Sequence, residues 1–424
     1  MEKNRVLPVS HAIVFLLIHL GTGLAAPVLS LMLLARGATL ATLPFVVGVT
    51  TVVTCLLEVP SGIAADVLGR RRVFALSMAL QVATYVVLLA TPSLAVVAIS
   101  GVLRGLALAA RTGTLEAVEL DRVVAEHPEA AERLAALDAL NGRLALLESA
   151  GMGAGAIAGG VLATLDPSYV LLIGCIIASG AAALAGGLAL FPPDARSGAP
   201  VRERLRATLA DMRATLARPG DIRLVLAASA SAGVVMVAVE TYWQLAFESL
   251  VGAGGTWLLG FVNCAGMGAA ALGSAAAMRW GSVASGTRGR RGLYLALQAA
   301  AIVCLALFSA AASVPVSVAV YVALYLALGA RGVIEQTVLH NAVPSRERSG
   351  MASVQSIALR AGGLAGSAAS GPAVAALTLA GAWPVLAVLA TALAALGCGR
   401  RNLPASASVS SPSPHFRVRT KLKD

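Results

Sequence analysis

Charged and aromatic residues are scarce in this chain. Asp, Glu, Lys and Arg together make up 12% of its 424 residues and aromatic residues 4%, whereas apolar residues make up 58%. A soluble domain has about 25% charged and about 45–50% apolar residues, so the composition excludes a soluble fold. The apolar runs lack the strict alternation and the aromatic girdles of an outer-membrane β-barrel. The composition therefore indicates a helical membrane protein.

Metal-binding and nucleotide-binding patterns are also missing from the sequence. The five cysteines lie singly in apolar stretches, without a C-x-x-C pair, and the five histidines show no recurring metal spacing. No Walker or other nucleotide-binding loop is present. We therefore expect no metal, no cofactor and no ATP-driven pump. A membrane-embedded enzyme would need paired acids or a His–Asp set at the membrane surface, and the sequence offers neither.

Long apolar runs are what the chain has instead, and its mean hydropathy is +0.83. A helix needs about 20 apolar residues to cross the hydrocarbon core of a bilayer. The runs predict an all-α integral membrane protein with twelve transmembrane helices, here called spans 1 to 12. The predicted bounds, in chain order, are 11–34, 41–62, 73–91, 94–113, 142–163, 169–190, 223–246, 255–278, 293–312, 315–337, 350–378 and 381–398.

Positive charge is distributed unevenly between the two faces of this arrangement. Of the 32 lysines and arginines, all but four lie in the termini, or in or beside the links that follow even-numbered spans. The four exceptions are Arg36, Arg104, Arg331 and Arg360. The positive-inside rule then predicts a protein of the cytoplasmic membrane with both termini in the cytoplasm, and the first apolar run is interpreted as span 1 rather than a signal peptide. The net charge of +11 reflects topology, and no nucleic-acid partner is expected.

The longest polar insertion divides the chain into two halves of six spans. The sequence predicts bundles at 1–192 and 223–400, a cytoplasmic linker at 193–222 and a disordered tail at 401–424. The linker pattern favours an amphipathic helix on the lipid surface, with a solvated linker helix as the alternative. Repeated halves of this kind are typical of transporters, whose substrate site lies near the midplane between the halves.

The link after span 2 carries a distinctive motif. It reads "GIAADVLGRRR" at 62–72, and the corresponding link after span 8 keeps the arginines but has Ala277 opposite Asp66. The motif, the twelve spans and the division into two halves resemble the major facilitator superfamily, whose pattern at this place is G-x-x-x-D-x-x-G-R-[RK]-x. The longer string "EVPSGIAADVLGRRR" resembles bacterial drug and metabolite exporters of that family. The resemblance implies a monomeric transporter of a small molecule.

The same resemblance implies a conformational latch at the inner ends of the two halves. Gly62 allows close helix approach and Gly69 a tight turn, while Asp66 accepts hydrogen bonds from the start of span 11, near 350–353. Arg70 pairs with an acid at the end of span 4. The sequence leaves three acids open for this pairing, namely Glu116, Glu119 and Asp121.

Ionisable residues inside the spans are candidates for a proton-coupling site or a substrate cavity, because a charge at mid-bilayer is costly and usually faces a cavity. Glu240 and Glu148 are the candidate proton carriers, and Tyr242 and Trp243 the candidate stacking surfaces for a flat substrate. The full set, including the candidate partners of these acids, is His19, Arg104, Glu148, Glu240, Tyr242, Trp243, Arg331 and Glu335. Three alternatives remain open: a helix contact for His19, a structural ion pair for Arg331 and Glu335, and interfacial anchoring for the two aromatic residues.

Taken with the resemblance, these residues predict a secondary transporter that exports a small amphiphilic molecule in exchange for protons. An uptake symporter on the same fold is the alternative. A membrane-embedded enzyme or a sensor is the alternative from another class. The predicted partners are the substrate, protons and membrane lipid.

Overall fold

The computed structural model describes residues 7–111, 114–127, 129–191, 221–280, 286–342 and 348–398. Within these ranges all the regular structure is helical. The thirteen α-helices are α1 Val9–Ala25, α2 Leu29–Ala35, α3 Leu43–Leu68, α4 Arg70–Leu88, α5 Leu94–Arg111, α6 Leu115–Glu126, α7 Ala130–Leu165, α8 Val170–Leu190, α9 Asp221–Val251, α10 Trp257–Trp280, α11 Gly286–Leu307, α12 Val314–Ala342 and α13 Arg348–Cys398. The predicted linker helix and tail lie outside the described residues.

Most of these helices are long and apolar enough to cross a membrane. Nine pass that test among the described residues, or ten if α1 and α2 count as one bent span. Helix α13, at 51 residues, contains a non-helical residue, Thr378, with φ 64°. Since each residue adds about 1.5 Å of rise and the hydrocarbon core is about 30 Å thick, α13 comprises two spans that meet at Thr378. Helix α3 supplies a further apolar stretch at Leu43–Leu57, so the predicted twelve spans are all represented.

Three features differ from the predicted spans. Span 1 is broken into α1 and α2, whose axes differ in direction by 61°. Helix α6 lies between spans 4 and 5, and α7 begins twelve residues before the predicted start of span 5 at 142. Both additions are polar helices at the same end of the bundle, and hydropathy alone does not detect polar helices. We call this end, where α1 begins, the inner end, and the opposite one the outer end.

Short links hold neighbouring spans together at both ends. At the inner end Gly69 joins α3 to α4 with φ 100°, a left-handed conformation that glycine adopts without strain. At the outer end Asp166 accepts hydrogen bonds from the Leu171 and Ser168 N–H groups at 2.8 and 3.0 Å. The Leu171 N–H, followed by the Ser168 hydroxyl, lowers the pKa of the Asp166 carboxyl. The carboxylate therefore caps the start of α8.

The two halves contact each other through small residues in the outer part of the bundle. A Cβ added at Gly160 of α7 would lie 2.8 Å from the Trp257 carbonyl oxygen of α10, and one added at Gly371 of α13 would lie 2.5 Å from the Ala41 carbonyl oxygen. Glycine thus permits these close approaches. At the inner end of α3, by contrast, a Cβ at Gly62 would meet no described atom within 4 Å. The described residues therefore contain no partner for Gly62, while the outer-end contacts hold the two halves together there: the outer end is closed.

Candidate functional site

A cavity of about 340 Å³ lies between the halves. Spans 1, 2, 3, 4, 5 and 7 line it, and most of the surface is apolar. Among its lining residues Arg104 of α5 and Glu240 of α9 are the charged ones. The polar remainder consists of hydroxyl and amide side chains, namely Thr22, Ser30, Thr50, Thr51, Thr84, Tyr85, Ser100, Thr241 and Gln244.

Glu240 faces this cavity from the C-terminal half. Its carboxylate accepts a hydrogen bond from the Tyr325 hydroxyl of α12. The Tyr325 ring lies 4.6 Å from that of Tyr321, which in turn lies 4.8 Å from Trp243. The Glu240 carboxylate therefore lies beside a cluster of aromatic side chains, and the Tyr325 hydroxyl of that cluster donates a hydrogen bond to it. Sequence reasoning missed Tyr325, since 85 residues separate it from Glu240 and no motif marks it.

Arg104 faces the cavity from the N-terminal half. Within the described part of the chain its guanidinium forms no hydrogen bond or ion pair, although it lies close enough to Glu240 for electrostatic attraction. A further polar group nearby, the buried Thr241 hydroxyl, has no hydrogen-bond partner among the described residues. In the described part of the chain, the cavity lining thus includes one cation and one hydroxyl without a partner.

A second, smaller cavity of about 190 Å³ lies nearer the inner end within the N-terminal half. His19, Glu116 and Glu148 line it together with Arg111. The His19 Nδ1 is 4.0 Å from a Glu148 carboxylate oxygen, and Arg111 donates a hydrogen bond to the Thr22 hydroxyl at 3.3 Å. Because Thr22 also lines the central cavity, Arg111 lies between the two cavities. In the sequence Arg111 stands at the end of predicted span 4, beside a cytoplasmic link, and nothing there indicates its position between two cavities.

Tyr242 and Trp243 are not among the residues that line the central cavity. Both side chains are 0% exposed. Tyr242 packs edge-on against Trp383 and donates a hydrogen bond to the Leu40 carbonyl at 3.2 Å. Neither lines the cavity because they project from other faces of α9 than Glu240, Thr241 and Gln244, so they belong to the core.

Arg331 and Glu335 form a buried network away from the central cavity. The Arg331 Nη2 is 2.8 Å from Glu335 Oε1, and the two residues are 5% and 4% exposed. Glu335 also accepts hydrogen bonds from Tyr294, at 2.8 Å, and from Ser229. The guanidinium carbon lies 5.3 Å from the centre of the Tyr294 ring. This arrangement fits the alternative of a structural ion pair, which the sequence left open for Arg331 and Glu335. The network connects spans 7, 9 and 10.

The motif residues at the inner end are only partly described. The Asp66 side chain and those of 350–353 lie outside the described residues. Among the three acids, Asp121 is the one that contacts Arg70, at 2.5 Å. Glu119 is buried and pairs with His11 at 2.6 Å and with Arg122 at 2.9 Å. Glu116 lines the smaller cavity instead.

Reversing the charge of Arg70 is expected to lower transport severalfold, because it removes the contact that orients the motif against α6. The pair is exposed, so the free energy of unfolding should change by about 1 kcal/mol or less. The double variant Arg70→Asp/Asp121→Arg should recover transport in vesicles. Arg143→Asp, at an exposed arginine of α7, makes the same change in net charge and is the control. Equal losses in Arg70→Asp and Arg143→Asp would show that the pair has no role of its own.

Comparison with known proteins identifies the family. The family model described as Major Facilitator Superfamily matches residues 12–367. The chain belongs to the major facilitator superfamily. Solved structures with the same fold include the nucleoside transporter NupG, with 13% identity and a TM-score of 0.70 over 92% of this chain and 98% of that one. A bacterial homologue of the human lysosomal transporter Spinster, described as inward-facing and unoccupied, has 14% identity and a TM-score of 0.68 over 92% and 95%.

A third neighbour is a POT family transporter in complex with 5-aminolevulinic acid, with 11% identity and a TM-score of 0.64 over 92% of this chain and 95% of that one. No curated protein matches the chain in sequence. The superfamily membership confirms the resemblance read from the 62–72 motif. The chain is a multi-pass membrane transporter and not an enzyme.

Proposed function

We propose that this superfamily member is a proton-coupled exporter of a small amphiphilic molecule and that Glu240 carries the proton. The observation that supports this most directly is the placement of one carboxylate, Glu240, and one guanidinium, Arg104, on a cavity that is otherwise lined by apolar, hydroxyl and amide side chains. Among the described residues this guanidinium has no hydrogen-bond or ion-pair partner. The outer end is closed by contacts between the halves, so the proposal has an occupant of this cavity enter from the predicted cytoplasmic face.

The carboxylate in this setting has two states, charged and protonated, and the surroundings contribute to the free energy of each. A charge in the middle of a membrane costs about 2.5–3.5 kcal/mol on insertion scales. Attraction to Arg104 and the hydrogen bond from Tyr325 offset part of that cost, whereas protonation removes the charge altogether. A positively charged amphiphile and a proton would therefore compete for one carboxylate, which is the condition for exchange of one for the other.

Uptake by symport is the second candidate, and the free guanidinium of Arg104 favours it. An anionic substrate that binds Arg104 would replace Glu240 as its counter-ion. Glu240 would then be more readily protonated, so that proton and substrate would occupy the cavity together and move in the same direction. The sign of the substrate charge thus decides between the two candidates.

Purified protein in liposomes that enclose a pH-sensitive dye tests both candidates. The panel contains cationic and anionic amphiphiles, together with a nucleoside and 5-aminolevulinic acid, which the structural neighbours transport or bind. If export by exchange is correct, a transported cation entering the lumen is accompanied by proton loss from the lumen. Proton gain accompanied by an entering anion would support symport. Substrate movement without any proton movement would contradict coupling altogether.

A further inference from the structure

Span 1 has an unusual backbone at the outer end. Helix α1 ends at Ala25 and α2 begins at Leu29, with Pro27 between them. Proline has no N–H and its ring clashes with the carbonyl four residues earlier, which explains the 61° break. In a continuous helix the Ser30 N–H would bond to the Ala26 carbonyl. In the described structure these two groups do not bond to each other.

The side chain of Gln244 takes the place of that missing bond. Its Oε1 accepts the Ser30 N–H at 2.7 Å, and its Nε2 donates to the Ala26 carbonyl at 2.9 Å. Gln244 belongs to α9 in the other half of the chain, and it and Ser30 are 1% and 2% exposed. One amide thus satisfies two buried backbone groups that would otherwise be unpaired, and it connects the two halves at their closed end.

We propose that Gln244 is the gate residue of the outer end and that it holds this end shut by inserting its amide into span 1. When the outer end opens, the amide withdraws and the Ser30 N–H bonds to the Ala26 carbonyl. This proposal requires alternating opening of the two ends, and it does not depend on which acid carries the proton.

This change of hydrogen-bond partners at Ser30 and Ala26 is suited to a gate with two states. Leaving a buried N–H or C=O unpaired is costly, but in each state of span 1 both groups have a partner. The two states therefore differ by little in their own hydrogen bonding, and other contacts decide the balance. Gln244 lies one helical turn from Glu240 and lines the same cavity, so an occupant bound at Glu240 contacts the face of α9 that carries the gate.

Spin labels at Thr91 and Ser313, on outer links of the N-terminal and C-terminal halves, measure this gate in a cysteine-free background. Gln244→Met keeps an unbranched side chain of similar volume but removes both hydrogen bonds. We expect it to shift the ratio of short to long label distances about tenfold or more toward the open outer end. The matched control is Gln298→Met: Gln298 is equally buried but bonds to Ser231 at 2.9 Å within the C-terminal half, so its loss should not shift the ratio.

Pro27→Ala provides a second variant should Gln244→Met fail to fold. Without proline the 26–30 hydrogen bond forms more easily, so this variant should also favour the open outer end. The double variant Pro27→Ala/Gln244→Met should shift the ratio of short to long distances by less than the product of the two single shifts. The reason is that both substitutions act on the hydrogen bonding of the Ser30 N–H and the Ala26 carbonyl. Unchanged distances in Gln244→Met, or a shift as large in Gln298→Met, would overturn the proposal. A failure of Glu240 as proton carrier would leave these distances unaffected, which separates the two proposals.

Discussion

The Glu240→Gln variant is expected to lose transport driven by a pH gradient while it keeps substrate binding and downhill exchange. Glutamine has nearly the same shape as protonated glutamate and can still accept the Tyr325 hydrogen bond, but it carries no exchangeable proton. A gradient that gives wild-type protein at least tenfold accumulation should give this variant none above equilibration. Counterflow of labelled substrate, which needs no proton gradient, should continue in the same liposomes.

Glu148→Gln is the matched control, because Glu148 is the other acid well inside a predicted span. Its carboxylate is half-exposed and lies in the smaller cavity beside His19 and Arg111. If Glu148→Gln loses accumulation while Glu240→Gln retains it, the carrier is Glu148. If both single variants retain it, neither carboxylate alone carries the proton and the proposal for Glu240 is wrong.

The Glu335→Leu variant is expected to destabilise the protein by about 3–5 kcal/mol, because it leaves the Arg331 guanidinium buried without its counter-ion. Removal of the acid also leaves the hydroxyls of Tyr294 and Ser229 without their acceptor. The expected result is a large drop in the unfolding temperature of the purified protein in detergent. Arg331→Met/Glu335→Leu should recover most of the loss, since replacing both members of a buried pair by apolar residues is often neutral.

This double variant also separates a structural role from a transport role. If the pair only connects spans 7, 9 and 10, the stable double variant should transport at a rate close to that of wild type. A double variant that is as stable as wild type but inactive would place Arg331 and Glu335 in the transport cycle. Arg70→Ala, which breaks an exposed pair, should change stability by about 1 kcal/mol or less and so calibrates the measurement.

Sequence reasoning was most successful where the signal is local. Crossing a membrane requires only a sufficient sum of hydrophobicity over about 20 residues, so the spans could be located without knowing how they pack. The motif at 62–72 was likewise readable, because a tight turn at Gly69 and adjacent arginines are local requirements. Helix α6 and the break at Pro27 were missed: the first is too polar to register as a span, and the second lies inside a run whose hydropathy is uninterrupted.

Side-chain partners could not be predicted in the same way. The sequence offered Glu116, Glu119 and Asp121 as equivalent partners for Arg70, and the three carboxylates point to three different surroundings because successive residues of a helix project about 100° apart. Tyr242 and Trp243 follow Glu240 closely in the chain, yet they project into the core. A rotation of α9 by one residue position would exchange these roles without changing its hydropathy.

The sequence by itself determined that this is a membrane protein of twelve spans in the major facilitator superfamily, because hydropathy and a turn motif are properties of consecutive residues. It also predicted an orientation from the positions of arginine and lysine. The tertiary structure alone decided which groups meet: Glu240 with Tyr325, Asp121 with Arg70, and Gln244 with the broken backbone of span 1. Those contacts join residues that are 51 to 218 positions apart, and they depend on how the helices pack against one another, which no stretch of consecutive residues encodes.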